Sequence, residues 1–191
     1  MKIINNKEEA IQELKRISSR TNSENNNNIN AIVEGILQEV KNDGDNAVEK
    51  FTKKFDGFNP NPMQVSAEEL QDAWDAIDNN LKRSLEIAYK RIKEFHEKEI
   101  PSSFTIKGKH GDKVQRKWRP VKNAGIYIPG GRAAYPSTVL MNAIPAKVAG
   151  VQEIIMVSPG NKEGEINKTV LAAAHLSGIS KVFRIGGAQA I

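Results

Sequence analysis

The chain has 191 residues, with 28 Lys and Arg against 23 Asp and Glu, and 39% of its residues are hydrophobic. This length and composition suit one or two folded domains with a buried core, which excludes disorder throughout. It has no cysteine, no signal-peptide segment at its start and no apolar run long enough to cross a membrane, so the sequence predicts a cytoplasmic protein without disulfides or a membrane partner.

Residues 1–100 are predicted to form a helical amino-terminal region. Apolar residues recur at helical spacing in five segments, 8–17, 29–40, 47–55, 70–77 and 81–97. A helix stop and a new start are expected at 42–45. Ser66 and Glu69 have the spacing of a capping box, in which each side chain accepts from the other residue's amide. The inward face of the last helix is predicted to carry Leu85, Ala88, Ile92 and Phe95.

Residues 101–123 have the pattern of a β-hairpin with its turn at 109–112. Seven basic side chains accompany the single Asp112 there: Lys107, Lys109, Lys113, Arg116, Lys117, Arg119 and Lys122. Such a surface is typical of a nucleic-acid-binding arm, of a dimer contact or of a solvated edge strand. We predict no nucleic-acid partner, because charged edges also keep exposed strands from pairing with other chains.

Residues 124–191 alternate strand and helix. Strands are predicted at 124–128, 153–157 and 181–185, with helices at 137–149 and 164–176 between them. Strands that are apolar on both faces predict a parallel sheet, so the fold class is α/β with an incomplete Rossmann-like βαβαβ unit. Because such a unit is half of a doubly wound sheet and leaves its last edge uncovered, we expect a truncated chain.

Glycine-bearing loops follow the first and third of these strands. Gly130 and Gly131 follow the first, and Gly186 and Gly187 follow the third. Because open α/β sheets bind ligands at the carboxyl ends of their strands, the loops predict one shared crevice. A Ser/Thr cap at 137–138 would present helix amides to a phosphate. A plain turn that needs glycine for positive φ fits the same spacing.

Three side chains are candidates for this crevice. Tyr127 fits either the crevice or the core, and its hydroxyl needs a hydrogen-bond partner if it is buried. Arg132 suits a phosphate, but a lone arginine on a loop is more often solvated. Gln189 can donate and accept hydrogen bonds at the crevice, or it can face water from a helix that begins at the glycine turn.

Metal and proton-transfer candidates are poor. His96, His110 and His175 have no ligand partner at helical spacing, so each is interpreted as structural or solvated. No serine-hydrolase, metalloprotease or phosphate-loop motif occurs. We therefore assign no catalytic residue and no metal ligand in this chain.

Two long motifs resemble the histidinol dehydrogenase family. One is RPVKNAGIYIPGGR at 119–132, continuing through PSTVLMNAIPA at 136–146, and the other is VFRIGGAQAI at 182–191. The helical front and the segment FTKKFDG at 51–57 also fit. The resemblance implies an NAD-dependent, zinc-containing, homodimeric oxidoreductase of histidine biosynthesis, which converts L-histidinol to L-histidine through an aldehyde.

The resemblance also implies roles for particular residues. Tyr127 and Gln189 match positions at which the family contacts NAD. The family's zinc ligands and its proton-transferring Glu-His pair belong to a carboxyl-terminal half that these residues do not include, so an inactive fragment is expected. The alternative is a non-catalytic nucleotide-binding or regulatory protein derived from the same fold.

Overall fold

The structure, a computed structural model, describes residues 3–18, 24–131 and 133–191, with side chains except at 24–27. The chain divides into two compact units, Met1–Ala47 and Val48–Ile191. The three-part division at 1–100, 101–123 and 124–191 stays a prediction. None of the described helices is both long enough and apolar enough to span a membrane.

Helices precede the strands, and strands then alternate with helices. The elements in chain order are α1 (Lys7–Ser18), α2 (Glu24–Asp43), α3 (Asp45–Phe55), α4 (Ala67–Ala76), α5 (Asn79–Glu99), β1 (Phe104–Lys107), β2 (Lys113–Arg116), β3 (Asn123–Tyr127), α6 (Pro136–Ala149), β4 (Glu153–Val157), α7 (Lys168–Leu176) and β5 (Lys181–Phe183), followed by a 3-10 turn at Ala188–Ala190. This order confirms the predicted α/β class, with a helical front, a hairpin and a βαβαβ unit.

In the first unit, Gly44 separates α2 from α3. Its φ of +56° is a left-handed conformation that favours glycine, and its amide donates to the Val40 carbonyl at 2.8 Å. The helix stop predicted at 42–45 is therefore confirmed.

In the second unit, α4 and α5 begin at side-chain caps. Ser66 Oγ accepts from the Glu69 amide at 3.0 Å, and the Asp78 carboxylate accepts from the first amides of α5. The other half of the predicted capping box is wrong. The Glu69 carboxylate accepts from the Arg184 guanidinium at 2.6 Å, because a charge-assisted bond to arginine is stronger than a bond to a neutral amide.

The inward face of α5 differs from the prediction at its end. Leu85 is buried and Ile92 packs against the core, but Phe95 is 62% exposed. His96 is partly buried instead. The prediction for Phe95 is wrong because the inward face of the helix continues from Ile92 to His96. Phe95 is one residue earlier and therefore points about 100° away from His96.

The predicted hairpin is confirmed. β1 and β2 pair in antiparallel register from Phe104 opposite Arg116 to Lys107 opposite Lys113. The turn closes where the Gly108 amide donates to the Asp112 carbonyl at 2.9 Å. Every residue of both strands is exposed, so the hairpin contributes no side chain to the core of its unit.

The parallel sheet has the strand order β3-β4-β5. β4 has its predicted bounds, whereas α7 begins at Lys168 rather than at residue 164. The later start has a local cause, because Asn167 Oδ1 caps the helix by accepting from the Thr169 amide at 2.9 Å. Gly164, with φ +81°, belongs to the preceding loop.

β5 is shorter than predicted, and its outer edge is covered. The Arg184 amide donates to the Met63 carbonyl at 2.9 Å, and the Val65 amide donates to the Val182 carbonyl at 2.8 Å. Between these two hydrogen bonds, an antiparallel bridge joins Gln64 to Phe183 of β5. The expectation of an uncovered last edge is therefore wrong for β5, because a segment too short to show a period in the sequence covers it.

The core of the second unit lies between one face of the sheet and the helices. It takes alternate strand residues, including Ile126, Ile154, Met156 and Val182. α6 packs on α7, with α5 against α6 and α4 against α7. Ala172–Ala174 are all fully buried, and their small side chains let α7 approach its neighbours closely.

Candidate functional site

The loops after all three parallel strands meet around Pro159. The strands end level with one another, since the Ile128 amide donates to the Val157 carbonyl and the Ser158 amide to the Phe183 carbonyl. A Cβ added to Gly130 would lie 2.5 Å from Pro159 Cγ. This contact leaves room only for glycine.

The same proline restricts the third loop. A Cβ added to Gly186 would lie 2.6 Å from Pro159 Cβ. The two glycine-bearing loops thus meet at one edge as predicted, and the proline ring contacts both. The prediction of one shared crevice is wrong for the described residues, because the cavity beside Gly130 and Gly131 is not lined by Gly186 or Gly187. Pro159 was missed in the sequence, although Ser158-Pro159-Gly160 at the end of β4 was an available signal.

The two glycines of the first loop serve different purposes. Gly131 has φ +116°, a conformation that favours glycine whatever lies nearby. Gly130 needs no positive φ and is confined by its contact with Pro159. The turn interpretation therefore holds for Gly131, and the close-approach interpretation holds for Gly130. Arg132, a predicted phosphate partner, lies outside the described residues.

A cleft of about 510 Å³ opens beside this loop. Its walls are residues 129–131 and 158–162 and the start of α7, with the positively charged side chains Lys162 and Lys168 and the carboxylate of Glu165. The amino-terminal end of a helix carries partial positive charge, which adds to the field of the lysines. The cleft therefore suits an anionic group.

α6 does not begin at the predicted Ser/Thr cap. Its N-cap is Tyr135, whose side chain makes no capping hydrogen bond, and Pro136 takes the first helical position. Proline is pre-organised for that position because its φ is fixed and it has no amide to satisfy. The prediction of a cap at 137–138 is wrong, because both residues lie within the first turn.

Tyr127 ends β3 and reaches the third loop. Its Oη accepts a hydrogen bond from the Gly187 amide at 3.0 Å. The ring is 37% exposed, which argues against a core role. The structure therefore supplies the expected partner for the hydroxyl and joins Tyr127 to the loop that carries Gln189.

Gln189 lies in the final 3-10 turn and is only 4% exposed. The water-facing alternative is therefore wrong. Its amide packs against Gly187, where an added Cβ would lie 2.5 Å from Gln189 Oε1. Neither Gln189 Nε2 nor Oε1 has a hydrogen-bond partner within the described part of the chain. A buried unpaired amide is costly, and such groups are typical of sites that a ligand completes.

These two residues and the large cleft occupy different places at the sheet edge. Tyr127 lines a smaller groove of about 240 Å³ with Gly125, Ile155, Val157 and the last two residues of the chain. The groove lies on the sheet face opposite α6 and α7, because alternate strand residues point to opposite faces. We give the groove more weight as a specific site, since it adjoins the hydrogen-bonded tyrosine and the loop with the unpaired amide.

Burial shifts the pKa of two groups elsewhere in the unit. It raises the pKa of the Asp56 carboxyl, whose Oδ2 is buried and has no hydrogen-bond partner among the residues that the structure describes. It lowers the pKa of the Lys147 ammonium, whose Nζ donates to the Gly178 carbonyl at 3.2 Å. Neither side chain lines the large cleft or the Tyr127 groove.

The described residues do not provide a metal centre. Over these ranges, no group of three or more His, Cys, Asp or Glu side chains could hold a metal ion. His96 pairs with Glu99, and His175 stacks on Trp74 with ring centroids 6.0 Å apart. His110 is exposed within the hairpin turn. A zinc ion therefore does not fit the residues that the structure places.

The fold and the loop geometry define an α/β protein with an open parallel sheet. Its glycine-bearing loops lie at the carboxyl ends of the strands, where sheets of this class bind ligands. A sequence model described as histidinol dehydrogenase matches residues 19–191. The chain belongs to the histidinol dehydrogenase family.

Individual relatives agree with this assignment. The chain is 86% identical to a histidinol dehydrogenase of Prochlorococcus marinus strain MIT 9312 over 191 residues, covering all of this chain and 43% of the relative. It is 74% identical to that of Prochlorococcus marinus subsp. pastoris, covering 45% of the relative. The crystal structure of histidinol dehydrogenase from Elizabethkingia anophelis superposes with a TM-score of 0.80 at 36% identity, covering 85% of this chain and 37% of that one. The chain thus spans less than half the length of these relatives.

Proposed function

We propose that this chain forms the coenzyme-binding part of an NAD-dependent histidinol dehydrogenase, an oxidoreductase of histidine biosynthesis that converts L-histidinol to L-histidine through histidinal. The observation that carries the proposal is the bond from Gly187 to Tyr127 Oη beside the unpaired Gln189 amide. Membership of the family favours this function over a non-catalytic regulatory protein.

The chain's own residues would bind and orient the coenzyme. NAD, when bound, supplies the hydride acceptor. Tyr127 would hold the third loop and offer its ring to the coenzyme, and Gln189 would donate to and accept from polar groups of the ligand. Lys162 and Lys168 would add positive charge for the phosphates.

Zinc binding and proton transfer are roles that we do not propose for this chain. Among the described residues, no group of three or more His, Cys, Asp or Glu side chains could hold a metal ion. We propose that zinc ligands and proton-transferring groups belong to other parts of the enzyme. From the family resemblance and the cysteine-free sequence, we also propose a cytoplasmic homodimer.

Titration of the intact protein with NAD tests this function. Tyr127→Phe removes the oxygen that accepts from Gly187, so its dissociation constant for NAD should rise by about 2- to 12-fold, the equivalent of one ordinary hydrogen bond. Tyr135→Phe is the matched control, since the Tyr135 side chain makes no capping bond, and it should bind NAD like the wild type. A wild-type protein that does not bind NAD would refute the proposed function.

A further inference from the structure

An ion pair joins the end of β5 to α4. Arg184 Nη2 donates to Glu69 Oε2 at 2.6 Å, and the two side chains are 17% and 38% exposed. The residues are 115 positions apart in the sequence, so the pair is a tertiary contact. Its neighbours in the fold suggest what it holds in place.

Arg184 stands immediately before the loop that carries the candidate site. Gly186 contacts Pro159, and the Gly187 amide donates to Tyr127. β5 itself has only three residues, so few ladder hydrogen bonds hold the start of this loop. The Arg184 amide is bonded to Met63, which leaves the guanidinium–carboxylate pair as the side-chain anchor at that point.

Glu69 is well suited to act as the fixed partner. Its amide is held by Ser66 Oγ in the first turn of α4. α4 in turn packs on α7, which belongs to the βαβαβ unit. A carboxylate in the first turn is also favoured by the helix dipole. The guanidinium is thus held by a side chain whose own backbone is fixed.

We propose that Glu69 and Arg184 are positioning residues that set the loop from Gly186 to Gln189 and thereby the affinity for coenzyme. Neither residue lines the Tyr127 groove, so they act through the loop. The buried Arg184 Nε has no hydrogen-bond partner within the described residues. Loss of Glu69 would therefore leave a largely buried cation without its acceptor, which is costly enough to move the chain around it. This inference rests on the proposed function.

The test uses the intact protein with Glu69→Gln, Arg184→Met, the double variant and Arg184→Lys. Each single variant should weaken NAD binding about tenfold, because small displacements of a binding loop have large effects. KM for NAD should rise with kcat nearly unchanged. The double variant should be no worse than either single one, because the two side chains act as a unit. Arg184→Lys keeps the charge and should recover part of the affinity.

Hydrogen exchange supplies a readout that does not depend on turnover. The amides of 186–189 should exchange faster in Glu69→Gln and Arg184→Met than in the wild type. The matched control is the Lys181–Glu153 pair, which also joins β5 to its neighbour but is 47% and 36% exposed. Lys181→Met should leave NAD affinity within about twofold, as expected for an exposed pair.

The outcomes separate this inference from the function on which it rests. Unchanged exchange and affinity in folded Glu69→Gln and Arg184→Met, or an equal loss in Lys181→Met, would overturn the positioning role. If Tyr127→Phe still weakened NAD binding in that case, the proposed function would stand. A wild-type protein that does not bind NAD would refute the proposed function itself.

Discussion

Pro159 occupies the position where the three strand ends of the candidate site meet. Its ring lies within contact distance of two glycines that belong to different loops, Gly130 and Gly186. Close packing of this kind tolerates little added volume, because neither a proline ring nor the backbone can turn aside as a flexible side chain can. The positions of the loops therefore depend on residues without polar side chains, in addition to the polar residues of the site.

Gly186→Ala tests this packing. The new methyl group would overlap Pro159, so the variant should lose about 1–3 kcal/mol of unfolding free energy and bind NAD more weakly. Gly125→Ala is the control for stability alone, because no described atom lies within 4 Å of its added Cβ. It is not a control for NAD binding, because Gly125 lines the Tyr127 groove. Denaturant melts measure both variants. A Gly186→Ala protein as stable as Gly125→Ala would show that the loops do not press on the proline.

Asp56→Asn tests a buried charge by its pH dependence. Burial raises the folded-state pKa of this carboxyl above the ordinary 3.8, so the folded protein holds the proton more tightly than the unfolded chain does. The resulting stability is complete below about pH 3.8 and is lost as the pH rises through the folded-state pKa. Asp56→Asn should therefore raise the Tm at pH 7, with the gain vanishing at low pH.

The matched control for this variant is Asp43→Asn, which removes an exposed carboxylate at the end of α2. It should alter the Tm less, because the Asp43 side chain is exposed to water. A gain at Asp56 that stayed constant across the acid range would contradict the electrostatic explanation.

At the scale of elements, α7 depends on its cap. Asn167→Ala removes the side-chain oxygen that accepts from the Thr169 amide, and it should cost about 1 kcal/mol of unfolding free energy. Asn167→Asp keeps an acceptor and should stay close to the wild type. Chemical denaturation compares the three proteins. Equal losses in both variants would mean that the amide group, rather than the cap, is what matters.

Local signals predicted most of the elements. The spacing of apolar residues predicted the helices, and apolar residues on both faces of β3 and β4 predicted a parallel sheet. Both patterns can be recognised because the residues that form them are close together in the sequence. The beginning of α7 was placed too early, since Gly164 and the apolar Ile166 precede a cap that a single asparagine provides. Helix boundaries of this kind depend on one hydrogen bond rather than on the periodic spacing of apolar residues.

Long-range contacts were the part that sequence reasoning missed. Gln64 lies against β5, and Glu69 reaches Arg184, although neither residue carries a local signal for those partners. The burial of Gln189 was likewise unpredictable, because a glutamine after a glycine turn ordinarily faces water. The assignments of Tyr127 and Gln189 to the coenzyme came from the family resemblance and stay predictions.

At the scale of the whole molecule, the chain corresponds to 43% of its 86%-identical relative. A polypeptide of these 191 residues should form no NADH from histidinol and NAD, even with added zinc, because its described part holds no metal-binding cluster. Absorbance at the NADH band measures this, with an intact histidinol dehydrogenase as positive control. Turnover by the 191-residue polypeptide alone would contradict the proposed division of roles.

The contact of one proline with two glycines also constrains which sequence changes this chain can accept. Positions 130, 159 and 186 share one small volume, so a larger residue at either glycine becomes acceptable only after the ring at 159 has been replaced by something smaller. Libraries that randomise each loop separately should therefore return mostly destabilised clones. Randomising the codons for 130, 159 and 186 together would reach combinations of residues that no single substitution can reach.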